Sequence, residues 1–144
     1  MMKMGLLGNI KKAMSGANTF NAAPDDAFNF LKNESEQLIN NPQIKSSGIR
    51  TKVAAIGIGS RLIAGGVKII DTDPAKKTVT YQYRVNLLGM TSNLVVQIDP
   101  LNDGKASIIS MSRPFVPGGN YQISINVETA IIGALEDKFG RLDQ

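Results

Sequence analysis

Three residue types that carry much of protein chemistry are missing from this sequence: cysteine, histidine and tryptophan. Without cysteine the chain forms no disulfide, thiolate metal site or thiol nucleophile. Without histidine it lacks the commonest general base, the Ser-His-Asp relay and the usual zinc ligand. These absences exclude most hydrolytic and metal-dependent chemistries. The sequence therefore predicts no catalytic residues, no metal site and no cofactor. We interpret the chain as a binding module in preference to an enzyme.

Long apolar runs and clusters of like charge are missing as well. No stretch approaches the roughly 20 apolar residues that span a bilayer. The first apolar residues are interrupted by Gly8-Asn9 and Lys11-Lys12, which is too short and too polar for a signal peptide. We therefore expect a cytoplasmic protein. The net charge of +4 comes from scattered Lys and Arg residues, and that scatter argues against a nucleic-acid partner.

The N-terminal segment, residues 1–16, precedes every strand signal. Met4, Leu7, Ile10 and Met14 stand at helical spacing beside basic residues, which is typical of a short amphipathic helix. Such a segment is either a frayed or packed terminus or an anchor for a protein partner or a membrane surface. Residues 17–144 are long enough for one domain with its own hydrophobic core.

The domain begins with a short candidate strand and a helix. Pro24-Asp25-Asp26 suits a first helical turn, because proline needs no hydrogen-bond partner there and acidic groups favour the positive end of a helix. The helix should end near Asn40-Asn41, because Pro42 disfavours helical geometry in the residue before it.

Between Lys52 and Arg113 the spacing of apolar residues changes from helical to an alternation of apolar and polar residues. This pattern predicts at least five consecutive strands joined by turns. The clearest stretch places Val79, Tyr81, Tyr83 and Val85 on one face, and Asn102-Asp103-Gly104 predicts a tight hairpin. Consecutive strands with short links form an antiparallel sheet. The fold class is therefore α+β.

The chain ends in a helix whose apolar residues follow helical spacing. Val127, Ala130, Ile131, Ala134 and Leu135 form this stripe, and Leu135 should be buried. Asn126 is a candidate N-cap. Residues 121–125 fit either a last strand or an earlier helix start.

Two motifs invite a ligand. Gly57-Ile58-Gly59-Ser60-Arg61 suggests a phosphate loop, but it lacks the third glycine of a dinucleotide fingerprint and the Lys of a P-loop, so we interpret it as a bent strand pair. Arg113 shares the phase of Ile109 and Met111, so it either faces an apolar surface with a partner or extends to water at the strand end.

The order of these elements resembles the START-like, birch-pollen-allergen-like helix-grip superfamily. The resemblance rests on a strand running into Phe20-Asn21-Ala22-Ala23-Pro24-Asp25-Asp26, and on the pair Val67–Pro74 and Thr78–Tyr81. It implies a curved antiparallel sheet wrapped around the long C-terminal helix, with an N-terminal helix beside it. It also implies a cavity that binds lipids, sterols or other hydrophobic molecules, although some members are enzymes.

We therefore expect non-catalytic binding of a small hydrophobic ligand, lipid-like or aromatic, between the sheet and the C-terminal helix. The candidate lining residues are Tyr81, Tyr83, Val96, Met111, Arg113, Ile131 and Leu135. The alternative for these side chains is that they only pack against one another. The alternative functions are a structural or adaptor subunit that docks through residues 1–16, or an enzyme using Tyr, Arg and carboxylates in a closed pocket.

Overall fold

The computed structural model describes residues 18–40 and 66–142. They form an α+β fold with one five-stranded antiparallel sheet, as the sequence predicts, in the order β1-β5-β4-β3-β2. The strands are β1 (Asn18–Phe20), β2 (Lys68–Asp73), β3 (Thr78–Arg84), β4 (Thr91–Leu101) and β5 (Ala106–Ser112). The helices are α1 (Pro24–Phe30), a π-helical turn (Leu31–Ser35), α2 (Glu36–Asn40) and α3 (Tyr121–Phe139).

Several sequence predictions lie outside the described residues. These are the amphipathic N-terminal segment 1–16, the region 41–65 and, within it, the Gly57–Arg61 motif. Four of the consecutive strands expected between Lys52 and Arg113 are described, as β2 to β5, and the fifth strand of the sheet is β1.

The sheet buries one face through the predicted alternation. In β3 the side chains of Val79, Tyr81 and Tyr83 are buried, and the alternating residues Thr78, Thr80 and Gln82 are partly exposed. The register with β4 places Leu94 opposite Tyr81 and Val96 opposite Val79. Because directly opposed residues in antiparallel strands point to the same face, these side chains form one continuous apolar layer.

The hairpin between β4 and β5 is also confirmed. Its turn residues Asn102, Asp103 and Gly104 have φ values of 53°, 59° and 83°. Gly adopts that left-handed region without steric cost, and Asn and Asp adopt it more readily than other side chains. Two strands of alternating apolar residues are thereby joined by a short turn.

The N-terminal helical region starts at Pro24 and reaches Asn40, as predicted, but a π-helical turn interrupts it. Ala27, Phe28, Phe30, Leu31, Leu38 and Ile39 are buried. At the end of α2 the Asn40 amide pairs with the backbone of Val67, donating to its carbonyl at 2.6 Å and accepting from its N–H at 2.7 Å. The side chain therefore ties the end of α2 to the start of β2.

The C-terminal helix begins earlier than its apolar stripe suggests, and the N-cap prediction at Asn126 is wrong. Asn120 is the N-cap, and its side-chain oxygen accepts from the Gln122 N–H at 2.9 Å. Residues 121–125 are therefore helical. Ile123 is buried one turn before Val127, so the apolar alternation there was the start of a helical face.

Both helical regions belong to one core with the inner face of the sheet. The Phe30 and Phe139 rings meet edge to face at 5.6 Å, which joins α1 to α3. Leu135 is 0% exposed, which confirms its predicted burial.

Candidate functional site: the groove between β5 and the C-terminal helix

The predicted lining residues separate into a core set and an edge set. Five of them, Tyr81, Tyr83, Val96, Ile131 and Leu135, are at most 1% exposed and belong to the hydrophobic core. Met111 is partly buried against that core, and Arg113 follows the end of β5. The structure thus brings six of the seven to the layer between sheet and helix and leaves Arg113 at its edge. The lining of a ligand cavity by the buried five stays a prediction.

The Tyr81 hydroxyl is committed to the π-helical turn. It lies 2.6 Å from the Ser35 Oγ, and Ser35 donates its own hydrogen to the Leu31 carbonyl at 2.5 Å. Because a serine hydroxyl has one hydrogen, Tyr81 is the donor of the pair. Burial raises the pKa of Tyr81 above its ordinary value, since the phenolate would lose its solvation. Tyr81 is therefore a neutral structural donor.

The Tyr83 hydroxyl links the sheet to the C-terminal helix. It donates to the Ser124 Oγ at 2.9 Å, and both residues are buried. The sheet and the C-terminal helix are therefore hydrogen-bonded to each other in the buried layer between them.

A ligand-sized groove lies between β5 and α3, at the edge of the sheet where β1 is short. Its volume is about 490 Å³, within the range of small-molecule sites. We call it the β5–α3 groove. It is lined by Asn18, Ile109, Ser110, Met111, Glu128, Thr129, Ile132 and Arg141.

The β5–α3 groove has three apolar side chains at its base, and its other lining residues are polar. Ile109 is buried, and Met111 and Ile132 are partly buried against the core. Thr129 is exposed on the helix side, and its hydroxyl donates back to the Ile125 carbonyl at 2.8 Å. Such a surface can bury the body of a small apolar molecule and leave its polar group at either end.

At one end of the groove Arg113 is paired. Its Nε donates to the Glu128 Oε2 at 2.5 Å, and its guanidinium lies 4.7 Å from the centre of the Tyr121 ring. The hydrogen bond to Glu128 raises the pKa of Arg113 further above its ordinary value. The structure therefore gives Arg113 the partner that an arginine near an apolar face requires, and Glu128 on α3 is that partner.

At the other end Arg141 holds the helix terminus to β1. Its Nε donates to Glu136 at 2.7 Å and its Nη1 to the Asn18 Oδ1 at 2.8 Å. Its guanidinium also lies 5.5 Å from the centre of the Phe20 ring. Sequence reasoning missed this cluster, because Asn18 and Arg141 are 123 positions apart in the chain. The only hint was a basic residue just after Gly140, where cations interact favourably with the helix end.

A second, smaller space lies beside the start of α3. It is about 30 Å³ and is lined by Ser92, Arg113, Ser124 and neighbouring loop residues. That volume suits one or two water molecules. Within residues 18–40 and 66–142, Ser92 Oγ is a buried hydroxyl without a hydrogen-bond partner, and it faces this space.

The described ranges contain no cluster of three or more His, Cys, Asp or Glu side chains placed to hold a metal ion. Among the helices of the same ranges, none has the length and apolar character to cross a membrane.

Comparison with known proteins gives no relative: no family model, no curated protein and no solved structure matches the chain. The helix-grip resemblance therefore stays a prediction.

Proposed function

We propose that the protein binds a small hydrophobic ligand, lipid-like or aromatic, in the β5–α3 groove without transforming it. The observation that carries the proposal is the groove of about 490 Å³ with Ile109, Met111 and Ile132 at its base. Clefts of this size that combine apolar side chains with polar groups are common sites for small molecules.

The charges at the groove favour binding over catalysis. Glu128 is engaged by Arg113, and Arg141 by Glu136 and Asn18. A general acid or base would need a titratable group free to exchange a proton with the ligand. These paired groups instead offer fixed polar ends that orient an amphipathic molecule.

We further propose that the sheet curves around α3 as in helix-grip proteins. Two features support this arrangement. The antiparallel sheet places its apolar face in one core with α3, and β2 carries a register shift between Ile69 and Asp71 of the kind that bends a strand. The five buried predicted residues would then form the inner wall behind the groove.

The test is fluorescence titration with anilinonaphthalene sulfonate, followed by competition with a long-chain fatty acid. We expect saturable binding with a micromolar Kd, on the order of −8 kcal/mol. Thr129→Trp should weaken binding by at least about tenfold, equivalent to about 1.4 kcal/mol, because the indole would occupy the groove from the exposed side of α3.

Two control variants separate blocking from other effects. Thr129→Ala removes the hydroxyl but leaves the groove open, so its affinity should stay within about twofold of the original chain. Gln122→Trp adds the same indole at an exposed position of α3 outside the groove and should also bind normally. Equal affinity in Thr129→Trp and the original chain would reject the β5–α3 groove as the site.

The second candidate function is that of an adaptor docking through residues 1–16, which lie outside the described residues. It predicts that deleting residues 1–15 abolishes capture of a partner while titration with the probe is unchanged. If the original chain shows no saturable probe binding, the adaptor is the better account.

A further inference from the structure

The exposed apolar side chains of this protein gather at one end of the fold. Six large apolar side chains are exposed in the described residues, and five of them lie in or beside two loops. The β3–β4 turn carries Leu87, Leu88 and Met90, and the β5–α3 loop carries Phe115 and leads into Tyr121. Leu87 is 100% exposed, Leu88 89% and Phe115 83%. We call these five residues the apolar tip.

The two loops are braced against each other, so the apolar tip is a built surface. The Asn120 N–H donates to the Val85 carbonyl at 2.5 Å, and Asn86 Nδ2 donates to the Gly118 carbonyl at 3.2 Å. The Asn86 Oδ1 also accepts from the N–H groups of Leu88 and Met90. The polar groups of this network bond within and between the two loops, and the apolar side chains are left exposed to solvent. Ordinary surface loops instead expose polar side chains.

An exposed cation stands beside the apolar tip. Residues 84–93 and 112–126 contain two charged side chains, Arg84 and Arg113, and no carboxylate. Arg84 is exposed at the end of β3. Arg113 is paired with Glu128 further along α3 and lies over the Tyr121 ring. The tip therefore offers apolar side chains, an amphipathic aromatic ring and an exposed cation together.

We propose that the apolar tip docks the protein onto a lipid bilayer that carries anionic headgroups. Leucine and phenylalanine side chains at the loop ends would enter the acyl boundary, the Tyr121 ring would lie at headgroup level, and Arg84 would meet the anionic surface. This is peripheral docking and needs no membrane-spanning helix.

The size of the apolar tip favours a bilayer over a protein partner. A standard protein interface uses roughly 20–30 residues a side, and this patch has five. A bilayer requires only that a few protruding apolar groups leave water, and each basic group near an anionic surface adds to the attraction.

The docking proposal stands apart from the proposed ligand binding. The tip and the β5–α3 groove share no lining residue, although the Arg113–Glu128 pair joins the two. A protein docked by its tip would therefore place one end of the groove toward the bilayer.

The test is co-sedimentation of the full chain with vesicles of equal parts phosphatidylcholine and phosphatidylglycerol, and with vesicles of phosphatidylcholine alone. We expect binding to the mixed vesicles and much weaker binding to the neutral ones. The double variant Leu87→Asn with Leu88→Asn should lower the vesicle affinity at least about tenfold. Arg84→Gln should lower it about fivefold on the mixed vesicles and leave the neutral ones unaffected.

The matched control is Ile70→Asn, which removes the sixth exposed apolar side chain from β2, away from both loops. It should bind vesicles as the original chain does. The double variant should also keep its unfolding midpoint, because both leucines are exposed, and it should keep binding the fluorescent probe. If the original chain bound vesicles but not the fluorescent probe, the groove proposal would fail and the docking proposal would stand.

Three outcomes would overturn the docking proposal. The first is that the original chain binds neither vesicle. The second is that the double variant binds as well as the original chain and that binding is lost instead on deletion of residues 1–15, which would assign docking to the N-terminal segment. Finally, concentration-dependent self-association that the double variant abolishes, without vesicle binding, would make the tip an interface between copies of the chain.

Discussion

Removing the hydroxyl of Ser35 should destabilise the protein more than removing the hydroxyl of Tyr81. The two groups form one buried bond of 2.6 Å between the π-helical turn and β3, and both residues are 0% exposed. Ser35→Ala deletes the acceptor and leaves the Tyr81 O–H buried without one. Leaving a buried polar group unsatisfied costs about 1–3 kcal/mol.

Tyr81→Phe has a smaller expected cost, about 0.5–1.5 kcal/mol, the net value of one intramolecular hydrogen bond. The Ser35 hydroxyl still donates to the Leu31 carbonyl in that variant, so no donor is stranded. The double variant loses both partners together. It should therefore be no less stable than Ser35→Ala alone. In a double-mutant cycle this result corresponds to a coupling free energy of about 1 kcal/mol between Ser35 and Tyr81.

Urea unfolding followed by far-ultraviolet circular dichroism measures these free energies, because the chain has no tryptophan to report by fluorescence. The m-value should be the same in all four proteins, so that midpoint shifts report stability alone. Additive losses in the double variant would refute the reasoning, since they would mean that the two hydroxyls do not serve each other.

Two further predictions concern the core and pH. Leu135→Ala should cost about 2–5 kcal/mol in the same unfolding assay, because Leu135 is fully buried on α3; a loss below about 1 kcal/mol would place it beside open space. Because the pKa of Tyr81 is raised in the folded protein, stability should be unaffected by this group below about pH 10 and should fall above it, where the unfolded chain loses the phenolic proton first. Tyr81→Phe should remove that part of the decline, and an identical alkaline profile in the variant would contradict the assignment.

Local patterns were sufficient for the elements of the fold. Period-two alternation predicted β3, the Asn-Asp-Gly turn predicted the hairpin, and the first helical region starts at Pro24 as expected. These features depend on residues close together in the chain, so a sequence pattern carries them in full. The cap of α3 was the exception, because Ile123 and Ile125 alternate as they would in a strand. Only the packing of Ile123 beside Val127 placed the helix start at Tyr121.

The candidate site was only partly accessible from the sequence. Met111 and Arg113 were identified from their alternation phase, and the structure places Met111 in the β5–α3 groove and Arg113 at its end. Thr129 and Ile132 were not identified, because on a helix they lie at the edge of the apolar stripe. Such edge positions look alike in sequence whether they meet solvent, a ligand or a strand.

The α+β class, the antiparallel sheet, the buried face of β3 and the burial of Leu135 could all be predicted from the amino-acid pattern. Which polar groups meet became visible only in the folded chain: Tyr81 with Ser35, Arg113 with Glu128 and Arg141 with Asn18. The fold also brought the β3–β4 turn against the β5–α3 loop, which assembled the apolar tip. The physical reason is that periodicity fixes which side of an element is apolar, whereas partners across the sheet depend on strand order and register, which set distances between residues far apart in the chain.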